Sequence, residues 1–300
     1  MKILMPIDGS RYSEAATAFV ASRRSSLGAD LEVELLNVQS LISPRSILIS
    51  GSAEVRAYRR ARFDAVLKPA LARLKRAGIA ARTRRMLGTP ADSVSAVAAA
   101  SDADLIVMGS HGRTALEGLL FGSVTNAVLA RCTTPVLLLR GAAGPKRSSL
   151  SVGIAVDGSA YGKAAVRYAL KHRRLFGAAP RFVLIHVVPD LAAIVIPGFG
   201  DAPAPLYPLS KIAAAQSTAF ERATAPAQEM FARAGVAVET VCRVSNAPGD
   251  EIAAFATRRR LDLMVMGSHG YGALKSLALG SVATRTAARC TTPLLLVRAK

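Results

Sequence analysis

Two stretches of the chain space small and hydroxyl residues in a way suited to holding phosphate. Gly109-Ser110-His111-Gly112 is followed, nine residues on, by Gly122-Ser123. Gly267-Ser268-His269-Gly270 is followed at the same distance by Gly280-Ser281. Backbone amides meet phosphate oxygens closely only where no Cβ intervenes. Gly122 and Gly280 each lead into an expected helix, whose first N–H groups are unpaired and whose dipole favours anions. Ser123 and Ser281 can add a hydroxyl donor. The plainer reading is a glycine turn followed by a capping serine. Two occurrences at identical spacing favour the phosphate cradle.

Other reactive side chains offer less. Asp8 and Asp157 each close a short apolar run and precede Gly-Ser, where they can accept a hydroxyl or cap the next helix. His111 and His269 read as loop-shaping residues rather than general bases, and His172 and His186 show no partner. Cys132, Cys242 and Cys290 are odd in number and lack a CxxC pair, which argues against a disulfide framework or a zinc site. Cys132 and Cys290 read as small core residues. No GxxxxGK[ST] loop, Gly-x-Ser-x-Gly elbow or HExxH motif is present. Phosphoryl transfer therefore lacks a fixed lysine and metal carboxylates, and any hydrolysis should be slow. Arg113 and Lys275 could neutralise phosphate, but they stand at different positions in the two stretches.

The elements that position these residues come from an internal duplication. Asp102–Arg140 aligns without a gap on Arg260–Arg298, and Met5–Ala16 aligns on Ile154–Ala165 with Asp8 over Asp157. Each copy reads as alternating strands and helices. In the first, KILMPI, LEVELLNV, ARTRRML, DLIVMG and PVLLLR are strands, with ARTRRML alternating as an edge strand does. Helices are expected from Ser10 to about Leu27, over residues 53–76 and 91–100, and over Ser123–Arg131. Crossovers of this kind imply a parallel sheet with ligands beyond the strands' carboxyl ends. Residues 1–141 and 150–300 then form two domains joined by 142–149. The second copy carries about nine extra residues, placed in the Pro-rich stretch Pro197–Pro208.

Composition sets the class. The 300 residues are 51% hydrophobic with a mean hydropathy of +0.31, yet no uncharged run approaches the roughly 20 residues of a membrane span. A soluble, cytoplasmic protein is expected. The net charge is +19, divided between the halves as +8 for residues 1–145 and +11 for 146–300. Aromatic residues are only 5% and Trp is absent, so base-stacking platforms are scarce. This argues against specific nucleic-acid recognition and for an Arg-rich solvated surface.

On the repeated Gly-x2-Gly-x9-Gly-Ser pattern, the chain resembles the universal stress protein family in its tandem, ATP-binding form, over essentially all 300 residues. The resemblance implies two Rossmann-like α/β domains (adenine nucleotide alpha hydrolase-like), each a five-stranded parallel sheet of order 3-2-1-4-5 flanked by helices. It implies that Asp8 and Asp157 contact ribose, and that Pro6, Val38, Ala155 and Val187 line the adenine pocket beside Met108 and Met266. Gly109, Gly112, Gly122 and Ser123, like Gly267, Gly270, Gly280 and Ser281, would hold the phosphates, with backbone contacts from Val124 and Val282. The implied role is ATP binding in stress response or signalling. Mg would bind through the phosphates, with no metal site made of protein side chains. A slow ATPase or phosphotransferase is the alternative, and a nucleic-acid-associated protein the weaker one. In the family the last strands pair across a dimer, so Pro135–Arg140 and Pro293–Arg298 should join the halves as a pseudo-dimer, leaving a homodimer open. The sites should differ, because Pro6 lacks the N–H of Ala155 and Arg113 and Glu117 correspond to Tyr271 and Lys275. Pro197–Pro208 could act as a lid. The second site should bind more tightly.

Overall fold

The computed structural model describes all residues except 42–51, 113–120, 142–143, 146, 194, 197–203, 206–207, 271–278 and 300. Arg113, Glu117, Tyr271, Lys275 and most of the Pro-rich segment lie outside the described residues. The first half runs β1 (Lys2–Pro6), α1 (Arg11–Ser22), α2 (Arg24–Leu27), β2 (Glu32–Gln39), α3 (Ser52–Arg76), β3 (Ala81–Leu87), α4 (Pro90–Ala100), β4 (Leu105–Gly109), α5 (Ser123–Arg131) and β5 (Val136–Leu139). The second runs β6 (Ser151–Ala155), α6 (Ala160–Lys171), β7 (Arg181–Val188), β8 (Val195–Ile196), β9 (Ala204–Pro205), α7 (Leu209–Arg233), β10 (Val238–Val244), α8 (Pro248–Arg258), β11 (Leu263–Gly267), α9 (Ser281–Arg289) and β12 (Leu294–Val297).

Ten strands form one sheet in the order β10-β7-β6-β11-β12-β5-β4-β1-β2-β3. Each half therefore has the order 3-2-1-4-5. Their apolar content explains the layout. β4 and β11 are buried at every residue, as suits strands covered by helices on both faces. β3, mostly exposed, takes the outer edge that its alternation predicts. α3 and α7 have the same length of 25 residues, and each carries one internal proline, Pro69 or Pro226, eighteen residues in. The duplication extends to backbone strain. Asp102 and Arg260, at equivalent positions after α4 and α8, both have a φ of +48°. Around the inserted Pro-rich stretch of the second half, β8 just before it and β9 within it pair antiparallel.

The halves meet through β5 and β12, the antiparallel pair of the main sheet, with Leu294 opposite Leu138, Leu295 opposite Leu137 and Leu296 opposite Val136. Alternating residues of these strands enter the two layers of the core. Leu137 and Leu295 join one layer, and Leu138 and Leu296 the other. Both layers are continuous across the seam.

Helix α1 stops at Ser22, five residues short of the expected end. Arg23 leaves helical geometry at φ −99° and ψ 2° and turns inward, where it is only 1% exposed. Its guanidinium donates to the carbonyls of Arg147 and Ser148, just before the second half begins, and lies over the Phe19 ring at 5.7 Å. Burial lowers its pKa, partly offset by Asp262. Arg23→Met keeps the packing but strands two carbonyls. We expect a loss of about 1–3 kcal/mol in denaturant unfolding and faster protease cleavage before β6. A variant as stable and as protease-resistant as wild type would show that this clamp contributes nothing.

Candidate functional site

In both halves the strand order reverses between the first and fourth strands, so the loops leaving β1 and β4, and β6 and β11, diverge around a crevice. Just past β1, Ile7 N–H donates to Leu36 O at 2.8 Å. Past β4, Ser110 N–H donates to Leu139 O at 2.9 Å. The second half repeats both bonds, Val156 to Ile185 O at 3.0 Å and Ser268 to Val297 O at 2.8 Å. These bonds aim Asp8, Gly109, Asp157 and Gly267 into the crevice mouths.

The two ends of each glycine loop are stapled together. Gly122 N–H donates to Ser110 O at 3.0 Å, and Gly280 N–H to Ser268 O at 2.8 Å. Gly122 and Gly280 are the N-cap residues of α5 and α9, with φ of −63° and −67°. Any residue can adopt those angles, so a side chain is limited here by space alone. A Cβ on Gly122 would stand 3.4 Å from Gly112 N, and one on Gly280 would stand 3.2 Å from the Cα of His269. Ser123 and Ser281 are therefore first-turn residues rather than caps, and both are exposed. Close approach is more severe at Gly112 and Gly270, where a Cβ would lie 2.9 and 2.8 Å from Oδ2 of Asp8 and Asp157. Each acidic side chain thus touches its glycine loop. Asp8 Oδ1 accepts from Ser10 N–H at 3.0 Å and Ser10 Oγ at 2.7 Å, and Asp157 Oδ1 accepts from Ser159 N–H at 3.0 Å. The helix caps are Ser10 and Ser159 themselves.

In the second half, a cavity of about 360 Å³ opens at this point. Ala155, Asp157, Val187, Met266, Gly267, Gly270, Gly280, Ser281 and Val282 all line it, together with Gly162, Pro248, Ile252 and Ala283. In the first half Pro6, Val38 and Val124 are half-buried and Met108 is buried, at the equivalent positions of the same elements. Among the described residues, no group of three His, Cys, Asp or Glu side chains could hold a metal ion. No helix among them is long and apolar enough to cross a membrane.

The model of the universal stress protein family matches residues 1–140 and again 151–298. The chain belongs to the universal stress protein family. A universal stress protein of Mycobacterium tuberculosis is 24% identical over 222 residues, covering 73% of this chain and 70% of that protein. One from Thermus aquaticus is 32% identical over 148 residues, 48% of this chain and 96% of that one. A solved universal stress protein of Archaeoglobus fulgidus superposes with a TM-score of 0.71 at 20% identity, covering 100% of this chain and 98% of that one. The last likeness concerns the fold, including its tandem arrangement.

For this family member, the structure adds residues around the loops that motif reading passed over. Tyr12 and Tyr161 lie under Gly109 and Gly267, where a Cβ would fall 2.4 and 2.7 Å from the tyrosine Cβ. Their rings tilt against His111 and His269 at 5.5 and 5.3 Å. Both histidines also contact their serine neighbours, Ser110 or Ser268, at 3.0 Å. His186 does have a partner, contrary to the sequence expectation, because Nδ1 lies 2.7 Å from Val156 O. Asn37 holds the same position in the first half and donates to Ile7 O at 2.5 Å. Each braces the carbonyl just before the acidic residue. His172 also has a neighbour, the Tyr168 ring at 4.5 Å, and burial lowers its pKa. Tyr12 and Tyr161 coincide in the repeat alignment, a signal that was available. The Asn37 and His186 braces are not legible, because their targets lie 30 residues away, just past the end of a neighbouring strand.

The proline difference also has another consequence. Val156 N–H points to Ile185, so the adjacent Ala155 N–H faces β11, where Ala155 is in register with Met266. In the first half the corresponding ladder ends at Leu4 and Ile106. Pro6 lacks the amide that would extend it. The missing donor therefore shortens a strand pair rather than removing a group from the crevice.

Proposed function

We propose that each half binds an adenine nucleotide, with ATP as the ligand, and that the protein responds to it in a cytoplasmic stress or signalling role. The observation that carries this reading is the stapled glycine loop, built twice, with an acidic side chain against it and the tyrosine backbone 2.9 and 2.8 Å from where a Cβ on Gly109 or Gly267 would stand. In this reading Gly109, Gly112, Gly122 and Ser123, with their second-half counterparts, offer amides and hydroxyls to phosphate oxygens at a helix start. Asp8 and Asp157 accept from ribose hydroxyls. Val38, Met108, Val187 and Met266 flank the base beside Pro6 and Ala155, and Val124 and Val282 add backbone contacts. A bound polyphosphate would supply dense negative charge and a place for Mg. Mass spectrometry of the nucleotide that co-purifies, followed by calorimetric titration, tests the assignment. Two ATP equivalents per chain are expected, and no adenine-nucleotide binding at millimolar ligand would overturn it.

The two sites should not be equal. Gly162 and Ala283 line the second cavity, whereas the first half has Ser13 and Thr125 at those positions. Thr125 Oγ1 also donates to Gly109 O at 3.2 Å, tying down the first loop. The larger Ser13 and Thr125 side chains and the Thr125 tie should hinder closure of the first site, so the second should bind more tightly. With Gly122→Val blocking the first site and Gly280→Val the second, ATP should titrate several-fold more tightly into the former variant. Equal constants would refute the ranking, and tighter binding in Gly280→Val would reverse it.

A further inference from the structure

The two copies of the long helix and the strand after it differ in one property, their charge. α3 and α7 align residue for residue. Val55 matches Ile212, Pro69 matches Pro226, Ala70 matches Ala227, Leu74 matches Phe231 and Gly78 matches Gly235. Residues 52–87 carry eleven basic and two acidic side chains, a net +9. Residues 209–244 carry four and three, a net +1. Nearly half of the chain's +19 thus sits on one helix–strand unit, which comparing the halves as wholes conceals. That unit forms the outer edge of the sheet and the helix that covers it. All eleven cations except the half-buried Arg59 are exposed. Asp64 and Glu34 pair with Lys68, Arg84 and Arg85, and the other eight make no ion pair with a described carboxylate.

The fold does not require this charge, since the second copy builds the same elements without it. Protection of an edge strand does not require it either, because β10 forms the opposite edge with only Glu239 and Arg243. Like charges along one helix repel and cost stability, so a partner of opposite sign is the fitting explanation. We propose that the α3–β3 edge binds nucleic acid through its phosphates. A 25-residue helix spans about 37 Å, long enough to follow several phosphates. A lipid surface fits less well, because the apolar side chains of α3, Val55, Phe63, Leu67 and Leu74, are already buried within the protein and cannot enter acyl chains. Tyr58 is the exposed aromatic residue on this edge, so binding should be sequence-independent.

The experiment compares three full-length proteins: wild type, an edge variant (Arg56→Ala, Arg60→Ser, Arg62→Ala, Lys75→Ala) and a control. Each edge substitution installs the second copy's own residue, Ala213, Ser217, Ala219 or Ala232. The control (Arg167→Ala, Lys171→Ala, Arg173→Ala, Arg222→Ala) removes the same charge from the second half. Fluorescence anisotropy is read with a labelled 20-nucleotide oligo-dT and with a 20-base-pair duplex, between about 50 and 200 mM salt. The edge variant should lose on the order of ten-fold in affinity and flatten the log–log salt slope by up to about 3, because each phosphate contact contributes about 0.7 to 0.9. The control should stay within about two-fold of wild type. Thermal melts check that both variants fold, and the milder pair Arg60→Ser and Lys75→Ala replaces the edge variant if it does not. Equal losses in edge variant and control would mean diffuse attraction and overturn the proposal. So would no oligonucleotide binding by wild type at 50 mM salt, or binding only to vesicles containing phosphatidylserine. The edge contains no residue of the nucleotide crevices, so the outcome is independent of ATP binding.

Discussion

Replacing Leu138 and Leu296 together by lysine should open the seam between the halves. Leu138 is 0% and Leu296 2% exposed, and both belong to a core layer that continues from one half into the other. Losing two buried leucines alone costs at least about 4 kcal/mol. Each lysine must in addition leave its ammonium unpaired in an apolar layer or tear the strands apart to hydrate it. That is a large share of a typical folding free energy of about 5–15 kcal/mol. A lowered or split melting transition is expected, with rapid cleavage of the connecting segment before β6. Leu138→Ala with Leu296→Ala should give a smaller loss without separation, which distinguishes a cavity from a charge. Wild-type melting and proteolysis in the double-lysine variant would mean that the β5–β12 contact does not hold the halves.

Gly122→Val should remove ATP binding from the first site while leaving the fold intact. The backbone at Gly122 already has a φ that valine adopts, so the penalty is local crowding. The new Cβ falls 3.4 Å from Gly112 N and from His111 Cα, and the branched methyls then cover amides that would meet phosphate oxygens. Calorimetry should show the stoichiometry falling from two to one, or a loss of at least ten-fold at one site, with melting little changed. Gly280→Val should do the same to the second site, where the Cβ is tighter still at 3.2 Å from His269 Cα. Unchanged stoichiometry and affinity would sink the assignment of the glycine loops to phosphate.

Much of this molecule is legible in its residues because the deciding patterns are local or repeated. The duplication follows from direct alignment, and the paired glycine loops from fixed spacing. Apolar runs such as DLIVMG mark buried strands, and the alternation of ARTRRML marks an edge. What the sequence does not carry is the set of contacts between segments remote along the chain. The end of α1 depends on Arg23 turning toward carbonyls 124 and 125 residues away. The loops depend on Ser110 and Ser268 reaching the last strands and gathering Gly122 and Gly280, and on Asn37 and His186 bracing the turns before the acidic residues. The long basic helix looks like ordinary solvated surface until the sheet order sets it beside β3 at the outer edge, where its charge stands against a nearly neutral twin. Side-chain type and period determine which face of an element is buried. Which carbonyl an arginine meets, and which edge collects the charge, are settled only when parallel crossovers bring distant strands together.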